Sequence, residues 1–455
     1  MKINIYHTND IHSNYSFLQN VHRYMHGNKT DNDFYFDVGD YNDIKSILVD
    51  SDKGITAMDL FMQCKLDLMA IGNNEIDLEY KNIINLVKRF PIVSSNVTDS
   101  NDNDIEDLCK SVILNKAGKR FLIMSVAPYY GFNFSPGKYN KFFMLGNIKT
   151  QDPFVSIENE LQKNKDKYDF SILLSHSGHN IDKKLMEHFS DINLFLGAHT
   201  HIITIEDKYS MCGKGELLGK IQLEIKDDQI NIIEILHIDL SDEENPEFEL
   251  VFAEKLAKAS EILSVEIESY EDLNFDPYKE NRLINFICDA LYTRLECDFA
   301  IMHNGISEGP LNKPVSRKTL LENMPSKLNP TVFPVLGIDI IEAVKQSFDE
   351  KIIKQEGSGA GFRGTKLGTL GFSHNIEISE NPFYMKVNGE DIKLDKVYKV
   401  ASDDYLQRGT GYTSLRTPDE AATYENMFIR DFVKENLMDK NIFETSKIRR
   451  KNIII

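Results

Sequence analysis

The sequence predicts a two-domain protein of mixed α/β and α+β class, and three observations carry that reading. The chain has 455 residues, more than a single hydrophobic core organises well, so each half can bury a core of its own. Six short apolar runs in the first half, "INIYHTND", "DFYFDVGD", "LDLMAIGNNE", "FPIVSSNV", "DFSILLSHSGH" and "DINLFLGAHTH", each end in a polar cluster. The pattern then changes to period-two alternation in "KIQLEIKDDQINIIEILHIDL". Continuous apolar runs read as strands buried on both faces, whereas alternation reads as strands with one face toward water.

Between the runs, helical patterns lie at about 14–26, 53–66, 79–89, 154–166 and 181–189, the last with Asn180 as the expected N-cap ahead of "IDKKLMEHF". "DDQ" reads as a hairpin turn inside the alternating stretch. An acidic segment, "SDEENPEFEL", then leads into a helix, "VFAEKLAKASEILSVEI". This places a first domain at 1–245, a linker helix at 246–275 and a second domain at 276–455. The second half has helices at about 281–294 and 337–348, a Gly-rich stretch "GSGAGFRGTKLGTLGF" and a strand-rich end. The Gly-rich stretch lacks the GxxxxGK spacing of a phosphate-cradling loop and reads as a flexible connection.

A formal charge of −19 argues against nucleic acid as a partner, because affinity for phosphate backbones needs an excess of Lys and Arg. A small anion still fits, since local metals or Arg can outweigh the global field. The cysteines, Cys64, Cys109, Cys212, Cys288 and Cys297, form no CxxC pair, which suits a reducing compartment. "MKINIYHTNDIH" shows no basic segment followed by an apolar one, and no stretch approaches 18 apolar residues. A cytoplasmic protein with no membrane partner is the expectation; oligomeric state is not legible.

The ends of the apolar runs carry Asp10 and His12, Asp40, Asn73, His176, and the pair His199 and His201. All are hard or borderline ligands for a divalent metal. Singly, "NDIH" and "VGD" read equally as polar turns, and "LLSHSGH" as a helix N-cap with a satisfied His. His199 and His201, two apart after a strand, can point to the same side of an extended chain. The shared strand-then-ligand context, repeated through one half of the chain, favours a common site.

The order D-x-H, G-D, G-N-x-E, S-H-x-G-H, G-x-H-x-H resembles the calcineurin-type metallophosphoesterases, and "YHTNDIHS" resembles their 5'-nucleotidase and UDP-sugar hydrolase family. "NRLINFICDAL", "HNGISEGPL", "GIDIIEAVKQS" and "VASDDYLQRGTGYTSL" extend the resemblance through the second half. It implies a four-layer α/β/β/α metallophosphoesterase domain followed by a C-terminal α/β substrate-binding domain of 5'-nucleotidase type. It further implies that Asp10, His12 and His201 hold one ion, that Asn73, His176 and His199 hold another, and that Asp40 bridges them. Two cations about 3.5 to 4 Å apart can clamp a phosphoryl group and acidify a water into a nucleophile. Mixed N and O ligands suit Mn, Zn, Fe, Co or Ni better than Ca or Mg.

The implied activity is metal-dependent hydrolysis of phosphate ester or diphosphate bonds in nucleotides, nucleotide-sugars, cyclic nucleotides or related substrates. The implied catalytic residues are Asn73, Asn74, Asp77 and His179. Asn74 stands where the family has a catalytic His, and Asp77 matches the acid that orients it. An amide can bond a phosphoryl oxygen but cannot donate a proton to a leaving group, a contribution worth about 10² to 10⁴ in rate. Good leaving groups, such as those of diphosphates, are therefore favoured, with His179 as a second source of protons. His7 is expected to orient a neighbour. For the substrate, the resemblance points to Asn304, Tyr405, Arg408, Tyr412, Arg363 and Lys279. Tyr405 would stack a base, whereas Tyr412 reads equally as a core tyrosine, and Ser326 stands where a second aromatic platform is expected. A non-catalytic protein that captures a phosphorylated ligand on the same metals is the alternative.

Overall fold

The computed structural model describes residues 1–131, 133–226 and 229–452. The chain divides into two compact units, Met1–Ala259 and Ser260–Ile455. The division falls inside the helix Pro246–Leu263.

Two six-stranded sheets build the first unit among the described residues. One runs in the order Gln229–Ile238, Leu218–Lys226, Lys2–Thr8, Phe34–Asp37, Leu68–Ala70, Ile92–Val93, parallel from Lys2–Thr8 onward. The other runs Ile203–Glu206, Tyr209–Cys212, Leu194–Gly197, Phe170–Ser175, Lys119–Val126, Ser111–Lys116. Ile3, Ile5, Phe34 and Phe36 from the first sheet pack on Phe121, Ile123, Phe170 and Ile172 from the second. The outer faces are covered by Leu18, Val21 and Phe61 on one side and by Ile157 and Leu185 on the other. Those residues belong to the helices Tyr15–Asn28, Ile55–Met62, Pro153–Lys163 and His179–His188. The result is four layers, α/β/β/α. Strands covered on both faces explain why the sequence shows continuous apolar runs instead of alternation.

Register positions the site. Thr8 pairs with Asp37, Asp37 with Met69 and Ala70 with Val93, while Ser175 pairs with both Val126 and Gly197. Parallel strands that end in line deliver the loops after them to one edge, where α/β proteins place ligands.

Two local expectations differ in detail, and a third falls partly outside the described residues. The helix His179–His188 is capped by Gly178 at φ 88°, and Asn180 lies within its first turn. The chain leaves its strand through a left-handed turn there, a conformation that favours glycine over asparagine. The segment 53–66 is interrupted: helices Ile47–Asp52 and Ile55–Met62 meet at Lys53 and Gly54, both at positive φ. In the expected "DDQ" turn, Asp227 and Asp228 lie outside the described residues, and Lys226 pairs with Gln229.

The second unit holds a five-stranded sheet in the order Leu370–Phe372, Phe299–His303, Val397–Asp403, Pro330–Leu336, Thr423–Tyr424. The helix Arg282–Arg294 packs through Ile284, Ile287 and Leu291 and is capped by the Asn281 side chain on the Ile284 N–H. Among the described residues, no helix is long and apolar enough to cross a membrane.

Candidate metal centre

Loops that follow strands bring Asp10, His12, Asp40, Asn73, His176, His199 and His201 together. Asp10, His12, Asp40, His199 and His201 all have positive φ, between 48° and 76°. Such backbone costs about 1–3 kcal/mol per residue and persists where the surroundings enforce it, typically at functional sites. The glycines of the G-D and G-N pairs have a steric reason. A Cβ on Gly39 would lie 2.6 Å from Gly72 N and 2.9 Å from His176 Nδ1, and one on Gly72 would collide with Asp40. Two loops from neighbouring strands can touch only if both are bare of side chains at that point.

The donor atoms form two adjoining seats. In the first, His12 Nε2 lies 3.3 Å from His201 Nε2 and 3.8 Å from both Asp10 Oδ1 and Asp40 Oδ2; His201 Nε2 is 3.4 Å from Asp10 Oδ1. In the second, His176 Nε2 is 3.5 Å from Asp40 Oδ1 and 3.7 Å from Asp10 Oδ1, and His199 Nδ1 is 2.9 Å from Asn73 Oδ1. The two Asp40 oxygens thus face different histidines. Asp10 Oδ1 and His176 Nε2 are buried with no hydrogen-bond partner. Buried polar atoms are almost always paired, so these two fit a cation, as does the N and O donor set.

Electrostatics agree with that fit. Burial works to lower the His176 pKa, yet the Asp40 and Asp10 carboxylates outweigh it and push it up to about 10. A place that stabilises an imidazolium this strongly is a place where positive charge is needed. Burial lowers His12 and His199 to about 4, which keeps them neutral, the form that binds metals.

A surrounding layer of bonds holds the ligands. His176 Nδ1 is 2.7 Å from Val38 O, and Tyr139 Oη is 2.9 Å from His199 Nε2. Asn9 Nδ2 and the His199 N–H both donate to Asp10 Oδ2. Glu75 accepts from the N–H groups of Gly72, Asp40 and Asn42, tying the two loops together; burial, then Asp40 beside it, raises its pKa to about 7. The sequence reading missed Tyr139, Asn9 and Glu75 as supports. Glu75 carries a signal in G-N-x-E, whereas Tyr139 lies in the segment after the strand Lys119–Val126, where no pattern marks it.

The remaining first-unit candidates have the following surroundings. Asn74 is only 3% exposed: Nδ2 donates to Asn42 O at 2.7 Å and sits 2.9 Å from His12 Nδ1, while Oδ1 accepts from Asn73 Nδ2. Asp77 is half-buried at the C-cap of the helix Asn73–Ile76. His179 Nε2 pairs with Glu206 at 3.2 Å and its ring lies beside Tyr209. His7 is buried against Ser210, 2.9 Å away, and burial lowers its pKa to about 3.

In the second unit the substrate candidates are engaged by the fold itself. Asn304, 1% exposed, donates to Asp276 O and Lys279 O. Tyr405, 2% exposed, is stacked by Phe362 at 4.9 Å and 29°, with His303 at 5.0 Å on the ring. Phe362 comes from the Gly-rich stretch, which is packed down rather than loose: Arg408 donates to Ala360 O and pairs with Asp404, and Lys327 N donates to Gly361 O. Tyr412 is fully buried with its hydroxyl on Gly368 O, the core alternative. Arg363 donates to Phe362 O, and Lys279 is exposed.

The fold and the convergent Asp and His clusters define a metal-dependent phosphoesterase enzyme, and comparison with known proteins agrees. A profile described as calcineurin-like phosphoesterase matches residues 3–202. A second, described as the 5'-nucleotidase C-terminal domain, matches residues 260–417. The chain belongs to the calcineurin-like phosphoesterases that carry a 5'-nucleotidase C-terminal domain. It is 27% identical to an uncharacterized metallophosphoesterase, YunD, of Bacillus subtilis, over 95% of this chain and 98% of that one. The NAD nucleotidase NadN of Haemophilus influenzae matches the structure with a TM-score of 0.63 at 14% identity, over 100% of both chains. A 5'-nucleotidase precursor from Thermus thermophilus matches with a TM-score of 0.56 at 16% identity, over 100% of this chain and 99% of that one. At those identities the structural likeness speaks for the fold.

Proposed function

We propose that the chain hydrolyses phosphate ester or diphosphate bonds of nucleotides or nucleotide-like molecules at the Asp10–His201 cluster. The observation that carries the reading is the buried, partnerless pair Asp10 Oδ1 and His176 Nε2, set among converging N and O donors. His12, His201 and Asp10 would hold one divalent ion, Asn73, His176 and His199 the other, and Asp40 would touch both. The ions, Mn, Zn, Fe, Co or Ni by donor type, would supply Lewis acidity toward phosphoryl oxygens and an acidified water.

The chain's own residues then set the substrate range. The Asn74 amide is no acid and bonds Asn42 O and His12; His179 engages Glu206 through Nε2. With neither poised to protonate a departing alkoxide, substrates whose leaving groups need no proton are favoured: diphosphates, nucleotide-sugars and aryl esters. The free cysteines suit a reducing compartment, which supports a cytoplasmic role in nucleotide breakdown.

The test is phosphate release from nucleoside monophosphates, nucleotide-sugars and bis(p-nitrophenyl) phosphate by protein loaded in turn with each metal. Turnover is expected, faster on diphosphates and aryl esters than on nucleoside monophosphates. Tight ligand binding without turnover under any metal would overturn the enzyme reading.

A further inference from the structure

We infer that the two metal seats are unequal: the His176–His199 seat takes its ion first, and Asn74 weakens the His12–His201 seat. The inference deepens the two-metal reading above and rests on it.

A histidine that ligates through one nitrogen stays neutral and carries its proton on the other, which then needs an acceptor. His176 meets that demand, because its outward Nδ1 lies 2.7 Å from Val38 O and its Nε2 lone pair turns inward. His199 meets it too. Its outward Nε2 lies 2.9 Å from the Tyr139 hydroxyl, which accepts as well as donates, and its Nδ1 faces Asn73.

His12 does not meet it. Its outward Nδ1 lies 2.9 Å from Asn74 Nδ2, the same nitrogen that donates to Asn42 O at 2.7 Å. An amide nitrogen only donates. It matches a His12 whose lone pair is on Nδ1 and whose proton is on Nε2, pointing at Asp10, Asp40 and His201. Turning the amide over gives the Nδ1 proton an acceptor but sets two carbonyl oxygens against each other at Asn42. In either orientation one contact is lost when His12 ligates. Asp43 Oδ2, at 3.8 Å from Nδ1, is beyond hydrogen-bond length. His201, the partner ligand in that seat, has a side chain 37% exposed, whereas His176 is fully buried. Mismatched partners of ligating groups change metal affinity by about 10- to 100-fold.

The experiment is calorimetric titration of the metal-stripped full chain with Mn²⁺. Two steps at least about tenfold apart in Kd are expected. His12→Ala should delete the weaker step and His176→Ala the tighter one. Asn74→Ala, which lets water accept the His12 proton, should tighten the weaker step toward the other. Two equal steps, loss of the tighter step in His12→Ala, or a weaker step left unchanged or worsened by Asn74→Ala would each overturn the inference. If Asn74→Ala fails to fold, the wild-type separation and the His12→Ala assignment still decide. A single step or none contradicts the two-metal reading itself, and so is distinct from two equal steps.

Discussion

The two units differ in how their candidate side chains meet. In the first, seven side chains from five loops converge, and two wholly buried donor atoms among them make no hydrogen bond. In the second, the Asn304 amide nitrogen bonds backbone carbonyls, Tyr405 lies under Phe362 and Tyr412 bonds Gly368 O, while Asn304 Oδ1 and His303 Nδ1 are buried without a hydrogen-bond partner. A buried polar group that the fold leaves unsatisfied is a sign of something to bind, whereas a satisfied one is accounted for by stability alone. The difference is that the first unit gathers a convergent set of candidate metal donors, whereas the aromatic candidates of the second pack on one another.

The largest test of that contrast is Asp40→Ala, which should remove an oxygen from both seats at once. Hydrolysis should fall on the order of 10³-fold or more, and bound metal should drop in elemental analysis of dialysed protein. Phe362→Ala is the counterpart in the second unit. It should cost about 3 kcal/mol of stability by denaturant titration, the usual loss for a buried ring, and leave metal uptake unchanged; a loss of metal would break the contrast.

Lys451 gives a pH-dependent handle on the second unit. Burial lowers its pKa from 10.5 to about 8, against the raising influence of Glu280 and Glu380. The penalty is absent above pH 10.5, grows as pH falls toward 8, and is constant below, where the lysine is charged in both folded and unfolded chains. Thermal melts of Lys451→Met should therefore gain on wild type as pH falls from 10.5 to 8, by about 3 kcal/mol, and then run parallel. The smallest expected effect is that of Tyr139→Phe, which removes the hydroxyl behind His199 and should weaken metal binding about tenfold. An unchanged affinity would show that Tyr139 is only packing.

The buried strands were legible because they leave continuous apolar runs, the four-layer arrangement came from the resemblance, and parallel register brings the residues after "HTND", "VGD", "AIGN", "LLSH" and "GAHTH" to one edge. Position after a strand was enough to pick out side chains that meet in space. Orientation was not. Asn74 sits where the motif puts it, yet its amide direction depends on Asn42 O, which no local pattern shows. Tyr139 reaches His199 across 60 positions of chain, and such contacts leave no periodicity. Asn180 failed as a cap because the sharp exit from its strand needed the positive φ of Gly178. Tyr405 and Asn304 were chosen by likeness of segment, and likeness carries no information about which neighbour, here Phe362 from a glycine-rich stretch, lies against the ring.

The most direct measurement is a crystal structure of Mn-soaked protein with anomalous difference density. Two peaks about 3.5 to 4 Å apart are predicted, with Asp10, His12 and His201 on one, Asn73, His176 and His199 on the other, and Asp40 on both. One peak only, or two that do not share Asp40, would contradict the dimetal centre.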